Sequence, residues 1–177
     1  MGARIELKTK ISIYRFKDPT GEIYRKLKEG VPAEKVAEEE KDRFVGRTES
    51  IGNVLLNCGA SRVIDLMIGA VGSEAAWSHE NTLIGVGNGT DAEDPSQTDL
   101  TGTETEYNPP DGGYPVKDES GTQVTYQSTF GANKAAFEWN EFVVKHSDGT
   151  CLNRKVSPQG TKPAEEVWTA VITITLQ

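Results

Sequence analysis

The stretch Val167-Trp-Thr-Ala-Val-Ile-Thr-Ile-Thr-Leu176 decides the fold class. Trp168, Ala170, Ile172, Ile174 and Leu176 fall on one parity, and Thr169, Thr173 and Thr175 on the other. Successive side chains of a strand point to opposite faces, so a period of two describes a strand with one apolar face. β-branched residues dominate it, as a pleated strand favours. The same pattern recurs upstream. Residues 151–156 and 137–146 flank Ser147-Asp-Gly-Thr150, a hairpin turn signal. Val124, Tyr126, Ser128 and Phe130 alternate with polar residues, and Thr82-Leu-Ile-Gly-Val-Gly87 reads as another strand. Residues 88–108 are polar and read as a long loop, followed by the turn-rich Tyr107-Asn-Pro-Pro-Asp-Gly-Gly-Tyr-Pro115.

The front of the chain opens with a long strand over residues 4–17, with Ile5, Leu7, Ile11 and Ile13 on one parity and Arg4, Glu6, Lys8 and Lys10 on the other. Asp18-Pro-Thr-Gly21 ends it as a turn. Residues 22–43 are rich in Glu and Lys and read as an exposed charged insertion, with Pro32 opening a short helix to about Lys41. A second strand covers residues 43–47. Between residues 49 and 71, Ile51, Val54, Leu55 and Cys58 stand at helical spacing, and Ala60, Val63, Ile64, Met67, Ile68 and Val71 continue the stripe after a break at Gly59. The reading is a mainly β, α+β chain with one central helix: an antiparallel β-sandwich or partly open barrel packed over the helix, with an N-terminal β arm. Residues 1–47 form the arm with its insertion, and residues 48–177 form the body.

The 177 residues suit one domain. Net charge is −8, divided unevenly: residues 1–47 hold 12 basic and 9 acidic residues, and residues 48–177 hold 7 and 18. The acidic overall balance argues against nucleic acid as partner, and a basic front on an acidic body suits docking between unlike surfaces. No apolar run reaches membrane-span or signal-peptide length, which points to synthesis in a cytoplasm. Cys58 and Cys151 are far apart and match no metal spacing; Cys58 reads as a buried small hydrophobe.

Titratable groups do not gather in the sequence as an enzyme requires, so neither an enzyme nor a cofactor is expected. His79 and His146 read as surface histidines. Gly85-Val-Gly87-Asn-Gly89-Thr follows a strand but precedes no helix and lacks a basic residue, so its glycines are read as permitting close backbone approach rather than holding phosphate. Asp91, Glu93, Asp94 and Asp99 are oxygen donors without a calcium-loop spacing. Glu138 and Glu141 point to opposite faces of one strand.

An ordered series of segments resembles virion structural proteins of tailed bacteriophages, of the head decoration (cement) or tail-associated kind. The series is Asn53-Val-Leu-Leu-Asn57-x-Gly59, Leu83-Ile-Gly-Val-Gly-Asn-Gly-Thr90, Thr98-Asp-Leu100, Val124-Thr-Tyr-Gln-Ser-Thr-Phe130, Phe137-Glu-Trp-Asn-Glu141, Leu152-Asn-Arg-Lys155, Gly160-Thr-Lys162 and residues 168–176. It covers residues 48–177. The resemblance implies a particle component located in the virion, with no catalytic residues: a capsid decoration protein that binds and stabilises the assembled head, or a tail, baseplate or fibre-attachment part. Partners would be its own copies, in a trimer or another homo-oligomer, and a major capsid or other virion protein. From the residues themselves, the N-terminal strand is an arm suited to strand addition, and Ile5, Leu7, Ile11, Ile13, Tyr14, Phe16, Tyr24 and Arg25 are the candidate assembly interface. A third expectation is a carbohydrate-binding β-sandwich, which would need two of Trp77, Tyr107, Tyr114, Trp139 and Trp168 exposed together.

Overall fold

The computed structural model describes residues 6–177. In chain order the elements are β1 (Leu7–Lys17), α1 (Glu22–Lys28), α2 (Ala33–Glu39), β2 (Phe44–Ile51), β3 (Val54–Leu55), α3 (Asn57–Met67), β4 (Thr82–Gly87), β5 (Thr105–Asn108), β6 (Val116–Lys117), β7 (Gln123–Phe130), β8 (Glu138–His146), β9 (Cys151–Thr161) and β10 (Glu166–Leu176). Two antiparallel five-stranded sheets form, in the orders β2-β1-β10-β7-β6 and β3-β9-β8-β4-β5. They face each other as an open sandwich rather than closing into a barrel, so the expected mainly β, α+β class holds.

Alternation explains the core. Ile11 and Ile13 of β1, Trp168, Ala170, Ile172 and Ile174 of β10, and Tyr126 and Phe130 of β7 point into the sandwich. They meet Ile84 and Val86 of β4 and Trp139, Phe142 and Val144 of β8. Trp139 is the hub: its ring stands edge-on to Phe130 at 5.0 Å and to Trp168 at 5.1 Å, and its indole N–H donates to the Ala135 carbonyl at 2.9 Å.

The front segment departs from its sequence reading. The structure places β1 between β2 and β10, paired with β10 along its whole length from Leu7↔Leu176 to Lys17↔Glu166. A domain boundary at residue 47 falls inside β2, and β1 is an interior strand of its own body, not a free arm. Residues 22–43 are not an exposed insertion either. Ile23 and Leu27 of α1 and Ala33 and Val36 of α2 are fully buried against Tyr14, Phe16 and Val167 on the outer face of the first sheet. The apolar residues at even positions of β1 require that cover, and four apolar side chains among the charges suffice for it. Buried polar groups fasten it. The Asp18 carboxylate accepts from the Ile23 and Tyr24 N–H groups at 3.2 and 2.8 Å. Gln127 accepts from the Ala33 N–H at 2.8 Å, and Lys28 pairs with buried Asp111 at 2.9 Å.

The expected helix over residues 49–71 is halved. Residues up to Ile51 extend β2 against β1, and Val54 and Leu55 pair with Arg154 and Asn153 of β9. Strand pairing offered by the neighbouring edges overrides the local helical spacing. Only α3 remains helical, and Gly59 sits inside it rather than breaking it. A Cβ at Gly59 would lie 2.4 Å from the Leu152 carbonyl oxygen, so glycine lets α3 lie directly on β9. With α1 and α2 there are three helices in place of one central helix, and α3 packs on β9 with Val63 and Leu66 against the main core.

Leu27→Ala is therefore expected to lower stability by about 2–5 kcal/mol in a urea titration, as a core truncation does. A charged surface loop would tolerate the change within about 0.5 kcal/mol.

Candidate functional site

The outer face of the second sheet carries its most connected polar group. Glu141 on β8 and Arg154 on β9 are wholly buried and paired at 2.7 Å. The Glu141 carboxylate also accepts from the backbone N–H groups of Gly89 (3.1 Å), Thr101 (3.0 Å) and Gly102 (2.7 Å). Arg154 donates to the Asp91 carbonyl at 3.1 Å, to Gln97 Oε1 at 2.9 Å and to Thr101 Oγ1 at 3.1 Å. The long loop between β4 and β5 is thus wrapped around one internal ion pair. The Gly-rich run does cradle an anion, but that anion is the chain's own carboxylate. A Cβ at Gly87 or Gly89 would come within 2.6 or 2.4 Å of Glu141 Oε1, as the close-approach reading of these glycines expects. Sealed on all sides, Glu141 has no route to a substrate.

Beside it, Asp99 accepts from the Tyr107 hydroxyl at 2.7 Å and pairs with Lys145, while the Cys151 thiol points at it from 3.6 Å. This is the nearest approach to a reactive constellation, and its electrostatics run against reactivity. Burial, reinforced by the Asp99 charge, pushes the Cys151 thiol and the Tyr107 hydroxyl well above their ordinary ranges. An activated nucleophile needs the opposite shift. Burial also raises the Asp99 carboxyl, but hydrogen bonds from Lys145, Tyr107 and the Leu100 N–H outweigh it and hold the group below its usual range. Glu93 accepts from the Val156 N–H at 2.6 Å, and Asp94 caps the Ser96 N–H at 2.8 Å. No three His, Cys, Asp or Glu side chains converge on a metal position among the described residues.

His146 and the aromatics differ from expectation, whereas His79 is on the surface as expected. His146 is buried, not on the surface, with Nε2 2.9 Å from the Glu74 carbonyl and Nδ1 accepting from the Asp148 N–H at 3.1 Å. Exposed His79 lies 2.6 Å from the Tyr114 carbonyl. Cys58 is only half-buried, its thiol 3.2 Å from the Cys151 carbonyl. Trp77, Tyr114, Trp139 and Trp168 are buried and Tyr107 is half-buried, so these rings do not form an exposed platform for stacking sugars.

Among the exposed residues is an apolar patch. Ile64 and Met67 of α3 and the adjoining Ile68 are 57%, 75% and 72% exposed. With Leu7, Leu55, Ala60, Val63 and Leu176, the first two line a groove of about 580 Å³. Of the eight residues proposed from sequence as an interface, only Leu7 reaches this face. Ile11, Ile13, Tyr14 and Phe16 are core, Tyr24 is half-buried against Gly131, Arg25 is exposed elsewhere, and Ile5 lies outside the described residues. The α3 stripe looks like core in the sequence because its spacing is the same whether the chain itself or another molecule covers it. None of the described helices is long and apolar enough to cross a membrane. No family model, curated protein or solved structure matches the chain.

Glu141→Gln leaves the Arg154 charge buried without its partner. It should lower stability by about 3–5 kcal/mol and speed amide hydrogen exchange at Gly89, Thr101 and Gly102. A second expectation concerns Lys162, which is 1% exposed and donates to the carbonyls of Gly131 (3.0 Å) and Pro163 (3.4 Å). Burial lowers its pKa from 10.5 to about 8. The fold therefore disfavours the charged amine fully below about pH 8, and this cost is relieved as pH rises towards 10.5. Buried Tyr107 and Tyr126, raised by desolvation, act oppositely once the unfolded chain's tyrosines ionise near 10.0. Buried Cys151, raised by desolvation, opposes the rise once the unfolded chain's thiols ionise near 9.0, so stability followed by chemical denaturation should rise between pH 8 and 9 in the parent protein, and Lys162→Met should flatten that limb.

Proposed function

We propose that this chain is a virion structural protein, a capsid decoration subunit that docks on the assembled head through the apolar face of α3. The observation that carries the docking half of the reading is the exposure of Ile64, Met67 and Ile68 together on one helix face, continuous with Leu7 and Leu176. Burying such side chains contributes roughly 1.5–3 kcal/mol each when complete. The polar side chains that could have served chemistry are engaged inside the body, and they fasten loops. The virion half rests on the resemblance over residues 48–177. Several of its separate segments, containing Gly87, Gly89, Asp99, Glu141 and Arg154, meet in space around the buried pair and the adjoining Asp99 cluster. Segments that converge on one structural unit support a shared fold better than the same segments scattered over a surface.

Immunogold labelling of particles from a lysate of the source should place the protein on heads. Label confined to tails would replace decoration by a tail or baseplate role, and particles without label would sink the virion reading. Met67→Glu changes an exposed side chain, so the melt should stay within about 0.5 kcal/mol of the parent. Its binding to heads lacking the protein should weaken at least about tenfold, the effect of roughly 1.4 kcal/mol.

A further inference from the structure

We infer that the free edge of β2 is a self-recognition surface, on which a second copy of this chain adds its own β2 antiparallel to the first. β2 is the terminal strand of its sheet and, among the described residues, pairs only with β1. It is eight residues long, mostly exposed and free of proline. A long open edge is a ready template for another strand.

The direction of its backbone groups limits the possible registers. Gly52 donates its N–H to the Thr9 carbonyl at 2.9 Å. Ser50 and Thr48, two and four residues back, stand opposite Ile11 and Ile13 in the same phase of the ladder. In an antiparallel pair alternate residues turn their N–H and C=O to the partner, so Arg47, Glu49 and Ile51 turn theirs to the open side. An added strand must present outward-facing residues to these positions, which permits only shifts in steps of two.

Charge then selects one step. With the two-fold axis at Thr48, Arg47 of each copy faces Glu49 of the other, and Val45 faces Ile51. Val45 and Ile51 are 47% and 74% exposed, two of the large apolar side chains this chain leaves in water. Register with β1 puts Arg47, Glu49 and Ile51 on one face, opposite Tyr14, Ser12 and Lys10, and the bulge at Arg15/Phe16 leaves Val45 without a partner on β1, between the Gly46 and Phe44 pairs. Within one copy Arg47 already pairs with Glu49, so the dimer would carry four charges of alternating sign in a two-by-two block. A shift by one step in either direction brings Arg47 onto Arg47 or Glu49 onto Glu49, which opposes pairing. The edge is complementary to itself in one register, as a two-fold contact requires. The product is a continuous ten-stranded sheet. This inference is independent of the virion reading, because it concerns the isolated protein in solution.

Sedimentation velocity of the full chain over a concentration series tests it. The parent should dimerise. Arg47→Glu and Glu49→Arg should each weaken the dimer at least about tenfold, since each turns two facing pairs from attractive to repulsive. Mixing the two single variants should restore a dimer, because the two acidic side chains of one variant then face the two basic side chains of the other. The double exchange Arg47→Glu/Glu49→Arg should also dimerise. Melting followed by circular dichroism checks folding. Arg47 also donates to the Tyr14 hydroxyl at 3.2 Å, so if Arg47→Glu unfolds, Glu49→Arg and the double exchange carry the test. A monomeric parent, a dimer indifferent to the single exchanges, or single variants not rescued by mixing or by the double exchange would each overturn the β2 pairing.

Discussion

The eleven-residue ladder between β1 and β10 is the constraint from which the rest of the molecule follows. It joins the front of the chain to its end, Leu7 opposite Leu176 and Lys17 opposite Glu166, and its register fixes both faces of the first sheet at once. Odd positions of β1 and even positions of β10 enter the sandwich. The opposite set, Tyr14, Phe16 and Val167, faces outward and would sit in water without cover. A slip of one residue would exchange the two sets. The helices α1 and α2 are in this sense a consequence of the ladder: they lie where it leaves aromatic and branched side chains unsheltered.

The second sheet solves a related problem with charge. Its outer face is closed by a loop poor in apolar residues, which hydrophobic burial alone could not hold. Glu141 and Arg154 take its place, with two buried charges satisfied by backbone N–H groups, carbonyls and a hydroxyl. Such pairs are sensitive to the loss of either member, because the survivor is stranded away from water. The glycines in β4 and the following turn are small so that the carboxylate can approach the backbone.

What could be read from sequence divides along physical lines. Strands with strict alternation, such as β10 and β7, were legible because burial on one face is written into every second residue. The insertion was illegible because the need for Ile23, Leu27 and Val36 arises from Tyr14 and Phe16, on a separate element. Ile51, Val54 and Leu55 carry helical spacing and became strand because β1 and β9 offered them backbone partners. Glu141 and Arg154 were both visible, but as parts of separate segments; only the pairing of β8 with β9 brings them together. The open face on α3 left no mark, since a stripe awaiting another molecule is spelled like one that folds inward.

The first ladder also governs how the body would respond to force. Glu6 and Gln177 exchange hydrogen bonds of 2.7 and 2.9 Å, so both strands of the ladder begin at the same corner. Tension applied between these two residues would pull across the rungs and part them one at a time, like a zipper. Load entering through the exposed side chains of α3 and leaving by β2 would instead be shared among many rungs and both sheets. The mechanically durable parts of the body are therefore its faces and edge, and the corner at Glu6 and Gln177 is where it would peel.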